Sequence, residues 1–333
     1  MITSRERVLR ALKGLAIDRA PRDLWVAASV EAHRGDEVAE LRHRYPSDIV
    51  RPESRGSRGR SGMAEVGDHV DAWGCVWRVS FRGVPAELCG APLADAAKIG
   101  AYSLPLELIE KINRGAIDRG CAATPRFVLA WPEARPCERF AALRGPDGLA
   151  DLDAGGKPSR DVLDMLHDFF AREIEVWANT AVDGVVLSDS WSVSPQTWRG
   201  LLKPLYREFC EILRGRDKLV FFHSPGDPGE LFDDLVELGV DALYCPPPAD
   251  GASALERFRN RVTRWGGLDD PHVLQSGRPD EARSSVQRLR SALDFGRGGV
   301  IVQCDWTPGL SFDAVAAVFE QWLAPLPAHA HAR

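Results

Sequence analysis

No run of about eighteen apolar residues occurs in the sequence, so no membrane-spanning helix is expected. No Cys-x-x-Cys pair is present. The seven cysteines are odd in number and scattered, which suits a reducing cytoplasm better than a disulfide framework. Neither a GxGxxG turn nor a Walker pattern appears, so the usual phosphate-cradling loops of dinucleotide and nucleotide sites are missing. A basic excess is also lacking: the net charge is -6, whereas nucleic-acid binders usually carry a basic face. The opening MITSRERVLRALKG is polar and helical rather than a secretory leader, and a cytoplasmic location is expected. No internal repeat and no domain linker interrupt the chain.

What is there is ordinary globular composition, 44% hydrophobic and 27% charged over 333 residues. Thr3 and Glu6 have capping-box spacing, and Gly14 can stop the helix they open. Apolar strands then alternate with amphipathic helices. DLWVAAS and DIV come first. HVDAWGCVWRVS and VPAELCG follow, reading as a hairpin. The later strands are FVLAW, DGVVLSD, KLVFFH, DALYC, RVTRWGG and VIVQC. Strand-helix alternation on this scale argues for a parallel sheet. The eight strands predict a (β/α)8 TIM barrel over residues 1–325, with a hairpin insertion near residues 66–92 and a disordered tail at 326–333. An open doubly wound sheet is the alternative.

In such a barrel the residues at the carboxyl ends of the strands converge on one mouth. Those ends supply Trp131, Asp189, His223, Cys245, Asp269, Asp270, Cys304, Asp305 and Trp306. Asp189 suits an acid, a metal ligand or a substrate anchor, against a turn or capping role. His223 suits a proton carrier or a ligand. Asp269 and Asp270 read equally well as helix caps. Trp25, Trp131, Trp191 and Trp306 could line an apolar pocket for a flat ligand, although each alone is commonly core. Arg51, Arg55, Arg58 and Arg60 fall in an Arg, Gly and Ser-rich stretch that reads mainly as a solvated loop, with anion closure as the lesser reading.

TSRERVLRALKGLAIDRAPRDLW, DGVVLSDSW, VFFHSPGDPGELFDDLVELGVDAL, RWGGLDD and GGVIVQCDWTPGLSFDAVAAVFEQW together resemble the uroporphyrinogen decarboxylase superfamily. The resemblance implies the same barrel, a homodimer, and one of two activities. Decarboxylases of the family carry an Arg-rich stretch after the first strand. Here that stretch reads LWVAASVEA, and Trp306 stands near their late histidine. The methyltransferases move a methyl group from a methylated corrinoid protein to a thiol, using zinc held by a His-Ser-Cys-Gly turn and a late cysteine. Here the turn is His223-Ser224-Pro225-Gly226, so proline replaces one ligand. The resemblance thus implies a rearranged zinc site of His223, Cys245 and Cys304, with Asp305 or Asp189 as a further ligand. The alternative is that zinc is lost and the cysteines pack as small hydrophobes. No Asp-x-His-x-x-Gly pattern is present, so the corrinoid would ride on a separate protein. The expected function is methyl transfer; decarboxylation and a non-catalytic binding barrel are the alternatives.

Overall fold

The computed structural model describes residues 2–52, 65–81, 86–145, 147–190, 193–224, 228–244, 256–266, 271–293 and 298–323. Eight parallel strands form the barrel: β1 (Arg22–Val26), β2 (Ile49–Val50), β6 (Phe127–Ala130), β7 (Gly184–Ser188), β8 (Leu219–His223), β9 (Ala242–Tyr244), β10 (Thr263–Trp265) and β11 (Val300–Trp306). Their order is β1-β11-β10-β9-β8-β7-β6-β2, which is chain order around a ring. The expected (β/α)8 architecture is therefore present. No ladder joins β1 to β2. The Asp48 amide donates to the Arg22 carbonyl at 2.9 Å, and the Asp48 carboxylate accepts from the Arg22 amide at 2.8 Å. These two bonds close the ring.

The helix Ser4–Leu12 seals the end of the barrel where the strands begin. Thr3 caps it by accepting from the Glu6 amide, and Gly14 follows it at positive φ. Its Val8 and Leu9 pack against Phe127, Leu129, Phe221 and Ile301 inside the barrel. Its last turn receives a hydrogen bond from the Gly299 amide to the Ala11 carbonyl. That leaves the end where the strands finish, the usual place of ligand entry in a barrel of this kind.

The insertion is a three-stranded antiparallel sheet, β3 (Gly67–Val70), β4 (Val76–Val79) and β5 (Glu87–Gly90), rather than one hairpin. The stretch DAWG, expected inside a strand, is a tight turn. Asp71 accepts from the Trp73 and Cys75 amides at 3.0 and 2.9 Å, and Gly74 adopts φ 77°. Trp73, Cys75 and Trp77 of the insertion share one apolar cluster with Phe169, Phe170 and the outer faces of β6 and β7. The long amphipathic segment after β7 is also broken, into Pro195–Thr197, a wide turn at Trp198–Leu202 and a helix at Lys203–Arg214. Pro204 explains the wide turn, since it has no amide hydrogen and its ring crowds the carbonyl four residues back. Among the described residues no helix is long and apolar enough to cross a membrane.

Candidate active site at the barrel mouth

Alternate residues of a strand point to opposite faces, and this parity decides what reaches the mouth. The residues that pack with the barrel interior include Trp25, Ile49, Leu129, Trp131, Val186, Phe221, Tyr244, Trp265 and Ile301. Counting by two to the strand ends, the inward positions are Trp25, Arg51, Trp131, Ser188, His223, Tyr244, Trp265 and Asp305. Register agrees, pairing Trp25 with Asp305, Ser188 with His223, and Tyr244 with Trp265.

The rings form a tight box. His223 lies with its ring centroid 4.5 Å from Tyr244, 5.0 Å from Trp131 and 5.5 Å from Trp25. Trp25 stacks on Tyr244 at 5.4 Å and meets Trp131 and Trp265 edge-on at 5.2 and 5.3 Å. Buried acceptors fix the indoles, as aromatic N–H groups require. Asp23 accepts from Trp25 at 2.7 Å and from Trp265 at 3.1 Å, and Ser188 accepts from Trp131 at 3.0 Å. Asp23 is buried, and burial raises its pKa against the opposing pull of Arg51 and the two indoles.

Two features stand out electrostatically. Arg51 is exposed, with its guanidinium 4.5 Å from the Trp131 ring centre and 5.1 Å from that of Trp25. It makes no hydrogen bond or ion pair among the described residues; Asp23 and Asp305 act on it only through their charges. His223 also has no hydrogen-bond partner among them. Burial, then the charges of Arg135 and Arg51, push its pKa down to about 3. The imidazole is therefore neutral at any physiological pH.

Several expected site residues lie elsewhere. Asp189 falls on the outward parity of β7. Its carboxylate accepts from the amides of Cys137, Glu138 and Ser190 at 2.8, 3.0 and 3.0 Å and from the Tyr206 hydroxyl at 2.7 Å. It holds the start of helix Pro136–Arg144 to the end of β7, so its expected catalytic role gives way to a capping role. Trp306 and Cys304 point outward too, packing with Val315, Val318 and Phe319 of the last helix. Trp306 donates to the Leu310 carbonyl at 3.2 Å, with Arg34 over its ring at 4.8 Å. Trp306 is thus no part of the pocket. The expected zinc set does not assemble as predicted either: His223 faces inward and Cys304 faces the helix layer. Among the described residues no three metal-ligating side chains gather in one place. Trp191, Cys245, Asp269 and Asp270, like Pro225, Arg55, Arg58 and Arg60, lie outside the described residues. Of the expected pocket, Trp25, Trp131, His223 and Asp305 come together. Asp305 accepts from Gln303 at 2.9 Å. The sequence reading missed Asp23, Tyr244 and Trp265 and left Arg51 to a loop.

The profile of the uroporphyrinogen decarboxylase (URO-D) family matches residues 150–322, just over half of the chain. The chain belongs to this family. It is similar to a uroporphyrinogen decarboxylase of Methylococcus capsulatus, with 28% identity over 167 residues. Those residues are 48% of this chain and 47% of that protein, so the chain spans about half the length of the relative it matches. Its fold is similar to that of a methyltransferase from Methanosarcina mazei, with a TM-score of 0.68 and 18% identity over 97% of this chain and 98% of the other. At that identity the likeness concerns the fold and not the chemistry. The family is an enzymatic one, and the mouth is where barrels of this kind hold their sites.

Proposed function

We propose that this member of the family acts on a flat, carboxylate-bearing small molecule and decarboxylates it with His223 as the proton carrier. The observation that carries the reading is Arg51, a guanidinium resting on two indole faces at the mouth with no hydrogen-bond partner among the described residues. Its planar fork matches a carboxylate, and the indoles beneath supply a surface for a planar body. The family match and the decarboxylase relative support cleavage of a carbon–carbon bond. The acid favoured is smaller than uroporphyrinogen. That tetrapyrrole carries many carboxylates, whereas the stretch after β1 has no arginine and the guanidiniums acting on His223 are Arg51 and Arg135, the latter paired with Glu138 at 3.2 Å.

Trp25 and Trp131 underlie Arg51, so tryptophan fluorescence reports binding directly. Benzoate should perturb it and benzamide, the neutral analogue, should bind about tenfold more weakly, since a charge-assisted hydrogen bond contributes roughly 1.5–3 kcal/mol and the exposure of Arg51 favours the low end. Arg51→Gln should erase the preference. Equal affinity for the two probes would refute the reading.

A second reading is methyl transfer from a separate methylated corrinoid protein to a thiol. One observation favours it: His223 is neutral and free of protein hydrogen bonds among the described residues, which is the form that ligates zinc. Near-stoichiometric zinc in protein purified without a histidine tag, lost in His223→Ala, would favour this reading over decarboxylation. A homodimer is expected on either reading, by likeness to the family's decarboxylases, and light scattering at micromolar concentration checks it.

A further inference from the structure

We propose that Glu173 is a positioning residue for the mouth: its buried carboxyl holds, through the Glu133 amide, the loop that presents Trp131 and Arg135. What the loop binds rests on the carboxylate reading above; how the loop is held does not.

Residues 131–135 run from the end of β6 to the helix Pro136–Arg144. Trp131, at the start, lies beneath Arg51 at 4.5 Å and against the His223 ring at 5.0 Å. Arg135, at the finish, bears on His223 through its charge. Three contacts hold this loop. Ser188 accepts from the Trp131 indole at 3.0 Å. Asp189 fixes the far end through the Cys137 and Glu138 amides at 2.8 and 3.0 Å. Midway, the Glu133 amide donates to the Glu173 carboxyl at 3.0 Å. That carboxyl comes from the long helix Lys157–Ala178, outside the ring of strands, and its residue is only 6% exposed.

The surroundings of Glu173 suit a hydrophobe. Phe169 and Trp177 stand one turn away on either side, in a cluster that also takes in Trp73 of the inserted sheet and Ala134 of the loop. Trp73 meets Phe169 edge-on at 4.6 Å and carries Arg139 on its ring at 4.7 Å. Arg139 in turn pairs with Asp71 at 2.9 Å. The inserted sheet therefore backs the same region from outside. Burial raises the Glu173 pKa to about 8; the Glu133 charge adds to the rise, while the Glu133 amide, Trp177 and Arg139 oppose it. A carboxyl so raised costs the fold stability as pH climbs from the unfolded value toward the folded one. An apolar side chain of like size would pack here at less cost. What it could not supply is an acceptor for the Glu133 amide, and a site depends on such outer contacts to hold its side chains within about 0.5 Å.

The test uses the full chain labelled with fluorotryptophan, the Trp131 fluorine resonance being assigned by its loss in Trp131→Phe. Glu173→Met removes the acceptor, and Glu173→Asp withdraws it by one methylene. Both should move or broaden the Trp131 resonance at pH 7 while keeping native circular dichroism. Glu173→Gln keeps an acceptor oxygen in an uncharged group of the same size and should leave the resonance as in wild type. Benzoate affinity, read by fluorescence, should fall about fivefold in the Met and Asp variants, the worth of one ordinary hydrogen bond, and hold in the Gln variant. An unmoved Trp131 resonance in folded Glu173→Met overturns the proposal. So does a Gln variant as displaced as the Met variant, or a displaced resonance with benzoate affinity unchanged. Glu173→Asp carries the comparison if Glu173→Met unfolds the chain; if both unfold it, the carboxyl serves the fold rather than the loop and the proposal falls. Wild type that ignores benzoate while the resonances behave as expected sinks the carboxylate reading and leaves the positioning role standing.

Discussion

Asp48 offers the sharpest test of how this barrel closes. It is fully buried and sits at the seam between β1 and β2, where no ladder runs. One carboxylate oxygen accepts from Arg7 at 2.7 Å and Arg19 at 2.9 Å; the other accepts from Arg19 at 2.6 Å and the Arg22 amide at 2.8 Å. Burial alone would raise its pKa. The bond and charge of Arg19, then the Arg22 amide, overcome that and hold it below 3.8. Asp48→Asn keeps one acceptor oxygen and turns the other into a donor facing donors. About two charge-assisted bonds are lost, at roughly 1.5–3 kcal/mol each. Arg7 retains Asp18 at 2.6 and 2.7 Å, and Arg19 is partly exposed and can rehydrate, so the low end applies. We expect a loss of about 3 kcal/mol at pH 7, read from urea unfolding by circular dichroism with an unchanged denaturant slope. The sign with pH follows from the depressed pKa: the contribution is complete above the unfolded value near 4 and vanishes as pH falls through the folded one. Wild type and variant should therefore converge in acid. A loss under about 1 kcal/mol at neutral pH would show that the seam does not depend on this carboxylate.

Two further substitutions probe the packing that supports the site. Gly184→Ala should cost about 2 kcal/mol in the same assay, because a Cβ there would lie 2.9 Å from the Leu219 carbonyl and 3.3 Å from both the Phe127 and Phe221 rings; a neutral result would mean that β7 and β8 can spread freely. Glu173 is buried, and burial raises its pKa to about 8 although the Glu133 amide donates to it at 3.0 Å. A raised carboxyl makes the fold more stable below the unfolded value near 4.5 and progressively less so up to the folded one. Glu173→Gln should thus match wild type near pH 5 and exceed it in melting temperature at pH 8.5, and a constant difference across that range would contradict the assignment.

The barrel was legible because parallel strands covered on both sides are continuous apolar runs, and eight such runs alternate with helical periods in this chain. That same property hid the site. When both faces of a strand are apolar, alternation carries no sign, and VVLSD or VIVQCDW does not say which residues turn inward. Asp189, Cys304 and Trp306 were selected for standing at strand ends, yet all three have the parity of the helix-facing side. Cys304 and Trp306, two residues apart, share one face, and it is the outer one. Conversely, Tyr244 stands one residue before the cysteine that drew notice, and Trp265 just before a Gly-Gly pair. Arg51 was read with the loop that follows it, although it is two residues beyond inward-facing Ile49. Fixing parity on one residue per strand would have recovered Arg51, Tyr244 and Trp265. Asp23 needed more, since a carboxylate within a barrel strand makes sense only once two indoles are seen to converge on it.

The distribution of satisfied charge separates scaffold from site more cleanly than residue type does. On β2 and its flanks, Asp48 and Arg51 lie three positions apart. Asp48, at the sealed end, has donors on both oxygens. Arg51, at the open end, has ring faces beneath it and no hydrogen bond among the described residues. The buried carboxylates divide in the same way. Asp189 has its pKa raised to about 6 by burial, a value that alone would suggest an acid or base near neutrality. Its four donors leave it no capacity toward a ligand, and its parity turns it away from the mouth. Asp23 is raised by burial as well, but its contacts are the indoles that floor the mouth, and its charge bears on Arg51. A perturbed pKa marks a site only where the group still faces something unpaired. In this barrel that condition is met around Trp25 and Trp131, where a guanidinium with no hydrogen bond among the described residues lies against rings that the His223 imidazole also touches.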